Sequence, residues 1–222
     1  MRIAVIGTPN RVDELEKKIS SEHELVEVKN SNFNDFDLIF DLSFDEHDNR
    51  IEVYAGLSGM PVIVGAVKKQ IDQAIFDYPN HISCHFIGMN TLPTFIDRPL
   101  VEMTHIRQKE KDIMEELAKK LDWDIRWVKS RVGMATPRIL FMIINEAYYT
   151  VQEGTANKED IDLGMKFGTA YPKGPFEWCE EVGIKNVYET LLALYEDTKD
   201  ERYKICPMLK TEYLRSRDKF NC

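Results

Sequence analysis

The chain has 222 residues, enough for one large domain or two small ones, and carries 29 basic against 38 acidic residues for a net charge of −9. Its charges are interspersed and acidic on balance, so no basic face is expected for nucleic acid. No apolar run approaches about 18 residues, which argues against a membrane span, and the apolar stretch after Arg2 is too short for a signal peptide.

Residues 1–7 form a short apolar run ending in Gly7, suited to a buried parallel strand. Val12, Leu15 and Ile19 follow at helical spacing. Further strands are expected at 24–28, 37–42, 61–67 and 82–87, with helix-like stretches at 50–57 and 69–76 between them. Residues 108–121 predict an amphipathic helix through Ile113, Leu117 and Leu121, and 124–128 a last strand. Strands alternating with short helices predict a doubly wound α/β sheet whose first strand, turn and helix open a Rossmann-like unit.

From Val132 onward the pattern is helical. A long apolar helix is expected over 137–153, with Pro137 in its first turn, followed by helices near 158–167, 175–181, 187–196 and 209–217. This change of pattern predicts two domains, 1–130 and 131–222. Asn157 is placed to cap the helix that follows it, with Asp160 three residues on. Asn145-Glu146 breaks an apolar helix and is expected to pack against a partner or the other domain. Tyr148-Tyr149 and Phe176 with Trp178 read as core or dimer interface.

One string stands out. Asn145-Glu146-Ala147 is followed by Gly154, by Glu159-Asp160-Ile161-Asp162, and by the corner Pro172-Lys173-Gly174-Pro175. In that order these residues resemble the C-terminal helical domain of the 3-hydroxyacyl-CoA dehydrogenases. The resemblance implies a nucleotide-binding domain followed by a helical one, and NAD as cofactor. It further implies a 3-hydroxyacyl-CoA substrate (3-hydroxybutyryl-CoA-like) in fatty acid metabolism, and a homodimer formed through the helical domain. It also implies a catalytic dyad. His85, from His85-Phe86, would take the proton of the 3-hydroxyl, and Glu102, from Leu100-Val101-Glu102, would orient it. Imidazole titrates near neutrality, and a carboxylate on its other nitrogen fixes the tautomer and stabilises the imidazolium. Asn90 and Pro93 lie between the two in a loop longer than the family pattern.

The first domain departs from that family. A dinucleotide-binding turn reads G-x-G-x-x-G, whereas this chain has Gly7-Thr8-Pro9-Asn10-Arg11-Val12. Gly7 alone is kept, as a candidate cofactor-binding residue. Pro9 lacks the N–H an anion would want, and Val12 puts a branched side chain where helix and strand pack closely. Glu27 is the one match for the acidic residue that would hold a ribose hydroxyl. The domain is short for the family, which reads as a reduced Rossmann domain that has lost helices or strands. Where the family has a serine, Val64-Gly65-Ala66-Val67-Lys68-Lys69 has no hydroxyl, and Pro137 stands where it has an asparagine. Losing two oxygen-positioning donors removes several kcal/mol of transition-state stabilisation. Lys68 reads as a solvated surface lysine, with a substitute cation or a CoA-phosphate ligand as the alternatives.

His23, His47, His81 and His105 have no metal-ligand spacing, so no metal is expected. Cys84, Cys179, Cys206 and Cys222 are scattered without a CxxC pair and read as reduced thiols of a cytoplasmic protein. Two function classes follow. One is an NAD-linked 3-hydroxyacyl-CoA dehydrogenase using His85 and Glu102. The other is a catalytically degenerate member acting as a dimerising or acyl-CoA-binding module.

Overall fold

The computed structural model describes residues 1–28, 32–47 and 50–217; Cys222 lies outside them. The chain divides into two compact units, Met1–Met134 and Ala135–Cys222.

The first unit is built on a seven-stranded sheet. Its strands are β1 (Arg2–Ile6), β2 (Glu24–Glu27), β3 (Leu38–Asp41), β4 (Pro61–Gly65), β5 (His85–Met89), β6 (Leu100–Thr104) and β7 (Asp124–Trp127). They lie in the order β2-β1-β3-β4-β5-β6-β7. Every neighbouring pair is parallel except β5 and β6, which run antiparallel. The sheet is thus mostly parallel, as a doubly wound α/β fold implies, with one antiparallel ladder. Strand β6 gave no signal because Glu102 and Thr104 interrupt its apolar run, although both are buried.

Both faces of the sheet are covered, which is why β1, β3 and β4 read as continuous apolar runs. Ile3, Val5, Leu38 and Phe40 pack on one side with Leu15 of α1 (Pro9–Lys18) and Met114 and Leu117 of α3 (Gln108–Leu121). Ala4, Ile39, Val62 and Phe86 pack on the other with Phe33, Phe44, Tyr54 and Ile71, the last from α2 (Ile71–Asp77). In the connections from β2 to β3 and from β3 to β4, the helical elements among the described residues are 3-10 turns, Phe33–Asp35, Phe44–Glu46 and Arg50–Val53. These connections are short, and the sheet holds seven strands, so the expected loss of strands is corrected. The helix expected at 50–57 stops as a 3-10 turn, because Tyr54 is buried with its hydroxyl donating to Asp41 and Gly56 and Gly59 follow closely.

The second unit is helical throughout: α4 (Thr136–Gln152), α5 (Lys158–Gly168), α6 (Pro175–Val182), α7 (Ile184–Thr198) and α8 (Pro207–Ser216). Asn157 caps α5, accepting the Asp160 N–H at 2.9 Å. Asp162 of α5 accepts the Phe176 N–H at 2.9 Å and the Glu177 N–H at 3.2 Å, satisfying the first turn of α6. A Cβ on Gly174 would overlap that same carboxylate. Asp162 and the Pro-Lys-Gly-Pro corner are thus one device for turning the chain between α5 and α6. Asn145 has a local role too, correcting its assignment to a partner or the other domain. Buried at 3% exposure, it accepts the Cys206 N–H and donates to the Lys204 carbonyl, both at 2.9 Å.

Gly174→Ala should lose about 1–3 kcal/mol through overpacking against Asp162. The urea midpoint should fall with an unchanged slope; an unaltered midpoint would mean the corner does not depend on that contact.

Candidate functional site

The strand order reverses at β1, with β2 on one side and β3 on the other. In open α/β sheets, ligands enter the crevice outside the carboxyl ends of the strands at such a reversal. Here that crevice is bounded by the turns after β1 (residues 7–11), β3 (42–46), β4 (66–69) and β5 (90–93).

Arg11 crosses it. The side chain leaves the first turn of α1 and its Nη1 donates to the Leu42 carbonyl at 2.6 Å and to the Ser43 hydroxyl at 3.4 Å. Nη2 pairs with Glu46 at 2.5 Å, and only 3% of the arginine is exposed. Lys68 reaches the same Glu46 carboxylate at 3.3 Å with 6% of its side chain exposed. Its expected place on the solvated surface is corrected: the carboxylate turns it inward. Asp45 accepts the N–H groups of Val67 and Lys68 at 2.8 and 2.7 Å. Thr91 donates to the Leu42 carbonyl at 2.9 Å, and a Cβ on Gly65 would overlap its hydroxyl. A hydroxyl therefore does stand beside the turn after β4, but it comes from the end of β5 and its proton is engaged.

The loop after β5 packs down as part of the fold. Leu92, Phe95 and Ile96 are buried. Glu14 of α1 accepts the Thr94 N–H at 2.7 Å, and Lys18 donates to the Arg98 carbonyl at 2.5 Å. Burial raises the Glu14 carboxyl pKa, opposed by its bond to Thr94.

The residues present do not fit a dinucleotide in the pose that the resemblance implies. Pro9 opens α1 without an N–H, and the Arg11 and Val12 N–H groups are held by the Thr8 carbonyl at 3.0 Å each. The side of Gly7 on which a Cβ would lie is filled by Leu42, whose Cβ would stand 3.1 Å away, so its lack of a side chain serves chain packing. Glu27 is exposed at the carboxyl end of the edge strand β2.

The structure does not bring His85 and Glu102 together. His85 is the first residue of β5, at the amino end of that strand, and is 7% exposed. Its Nδ1 lies 3.1 Å from Oε1 of Glu110, which Arg107 also engages. In the β5–β6 ladder Gly88 faces Thr104 and Met89 faces Met103, and the Asn90 N–H donates to the Glu102 carbonyl at 3.1 Å. The residue opposite Glu102 is therefore Asn90. His85 lies five positions away, about 16 Å along an extended strand. Both Asn90 and Glu102 are buried, at 2% and 9% exposure. Asn90, Arg11, Glu46 and Asp45 are the residues that reading by motif missed. The register could have been anticipated only by recognising β6 as a strand.

Pro137 sits in the first turn of α4, where its missing N–H costs nothing. Among the described residues no group of His, Cys, Asp and Glu side chains could hold a metal ion, and no helix is long and apolar enough to cross a membrane.

Residues 133–217 match the 3-hydroxyacyl-CoA dehydrogenase, C-terminal domain, family model. The chain is 27% identical over 183 residues to the 3-hydroxybutyryl-CoA dehydrogenase of Bradyrhizobium diazoefficiens, covering 79% of this chain and 62% of that protein. It is 34% identical over 98 residues to the 3-hydroxybutyryl-CoA dehydrogenase of Clostridioides difficile, covering 44% of this chain and 35% of that one. It thus spans less than two thirds of these relatives' length. The crystal structure of an (S)-3-hydroxybutyryl-CoA dehydrogenase from Ralstonia eutropha shares the fold, with a TM-score of 0.74 at 18% identity over 97% of this chain and 94% of that one.

Glu110 has a pH signature. Burial pushes the Glu110 carboxyl up, but hydrogen bonds from Arg107 and His85 and the charge of Arg107 outweigh it, holding its pKa below the ordinary value. Its contribution is then present above the unfolded carboxylate pKa of about 4.3 and fades as pH falls through the lower folded value. Glu110→Gln should cost about 1–3 kcal/mol at pH 7, with the gap to wild type narrowing below about pH 4. Urea melts from pH 7 to pH 3 check this; a constant gap would mean the carboxylate's charge is not what matters.

Proposed function

Because the chain belongs to the 3-hydroxyacyl-CoA dehydrogenase family, we propose that it acts as a catalytically degenerate member, a dimerising module for acyl-CoA ligands. The observation that carries this reading is Asn90 in the position opposite Glu102. Oxidation of a 3-hydroxyl needs a base beside the orienting carboxylate, and an asparagine amide accepts no proton near neutral pH. The ligand class comes from the names of the relatives, which act on acyl-CoA compounds.

The homodimer is supported by α5. None of its residues is buried within the single chain, and Leu163 and Phe167 are 48% and 83% exposed. Helices of this length draw their stability from packing an amphipathic face, and a second copy would supply it. A cytoplasmic setting is consistent with the free, buried thiols of Cys84, Cys179 and Cys206.

One observation favours the second reading, NAD-linked oxidation of a 3-hydroxyacyl-CoA: Glu102 is retained and buried next to the carboxyl end of β5. His85 and Glu102 would not form its dyad in this arrangement.

Purified protein should not consume NADH with acetoacetyl-CoA above the protein-free rate. Turnover that Glu102→Gln abolishes would replace the degenerate reading with the oxidoreductase. In sedimentation the wild type should run as a dimer, and Leu163→Glu with Phe167→Glu should shift it to monomer. A monomeric wild type would remove the dimerising half of the proposal.

A further inference from the structure

We propose that the crevice at the strand-order reversal is filled by the chain's own charged side chains, with Asp45 standing where an anion would bind and Arg11 bridging the two sides. This goes beyond the reading above and rests on different residues from Asn90 and Glu102.

A dinucleotide enters such a crevice through its pyrophosphate, which needs backbone N–H groups aimed outward and room between the turns after the first two central strands. Both requirements are already used up. Two successive N–H groups, those of Val67 and Lys68 after β4, converge on one oxygen of Asp45 at 2.8 and 2.7 Å. Such a pair of neighbouring amides is the geometry in which backbone holds an anion. Here the anion is covalently part of the chain, on the turn after β3.

The space between the turns after β1 and β3 is taken by the Arg11 guanidinium, bonded at once to Leu42, Ser43 and Glu46. Lys68 closes the arrangement from the turn after β4 by pairing with Glu46. An incoming pyrophosphate would find the Val67 and Lys68 N–H groups already bonded to Asp45. It would also have to displace a guanidinium that is 3% exposed and bonded to three partners at once. Thr91, bonded to the same Leu42 carbonyl as Arg11, holds the loop after β5 against this cluster.

Two titrations test the inference. NADH added to the wild-type protein, followed by its own fluorescence and by calorimetry, should give no saturation up to about 1 mM. Saturable binding tighter than that overturns the filled crevice. Binding without turnover would overturn this inference and leave the reading of Asn90 standing, whereas turnover would overturn both. The second titration follows the melting temperature of Asp45→Gly and wild type against inorganic phosphate, with sodium chloride matching the ionic strength. The variant should melt lower, and phosphate should raise its midpoint while leaving the wild type unchanged. An equal effect on both, or on neither, would overturn Asp45 as the resident anion. Should the variant fail to fold, the NADH titration of the wild type still decides the proposal.

Discussion

The carbonyl oxygen of Leu42 accepts hydrogen bonds from both Arg11 and Thr91, and the first unit is organised around that oxygen. It is the acceptor that ties the turn after β1 and the loop after β5 to the end of β3. A backbone carbonyl has two lone pairs, and a buried one left short of donors is costly. Here both are met by side chains, one from α1 and one from the loop after β5. The arrangement requires Gly7 and Gly65 on either side, since a side chain at either would press on Leu42 or Thr91. What reads in sequence as the remnant of a glycine-rich turn is in space the clearance around a crowded junction.

That difference explains what was legible in the sequence. Strands β1, β3 and β4 could be read because a sheet covered on both faces demands unbroken apolar runs. The helices of the second unit could be read because their caps and corners are written in Asn157, Asp162, Gly174 and Pro175. Strand β6 could not, because buried polar residues alternate along it. Without β6 there is no ladder to count, and the motif alone offers His85 as the partner for Glu102. The ladder puts Asn90 there instead and leaves His85 to Glu110. Arg11, Glu46 and Lys68 lie in polar turns, where nothing distinguishes a charge that will be buried from one that will be solvated. Their burial is a property of three separate turns meeting, which no local pattern records.

The residues that carry the family resemblance also carry mostly structure. Asn145 pins the segment before α8, Asp162 caps α6, and Gly174 makes room for Asp162. Such a string answers to what the helical unit needs in order to fold, whatever happens in the first unit. Resemblance through caps and corners therefore reports descent and architecture, and it is silent on the reacting groups. At the carboxyl ends of the strands this chain carries Asn90 and the Arg11–Glu46 salt bridge.

The trimmed crossovers leave the sheet unevenly clad. One face lies under α1 and α3, which run for 10 and 14 residues. The other lies under 3-10 turns and the seven-residue α2. Short turns make fewer mutually supporting backbone bonds than a helix, so they open without a cooperative loss of a whole element. Amide hydrogens in those turns should then exchange through local opening, while those of α3 exchange only when the sheet itself comes apart. The unit thus has a firm side and a yielding side.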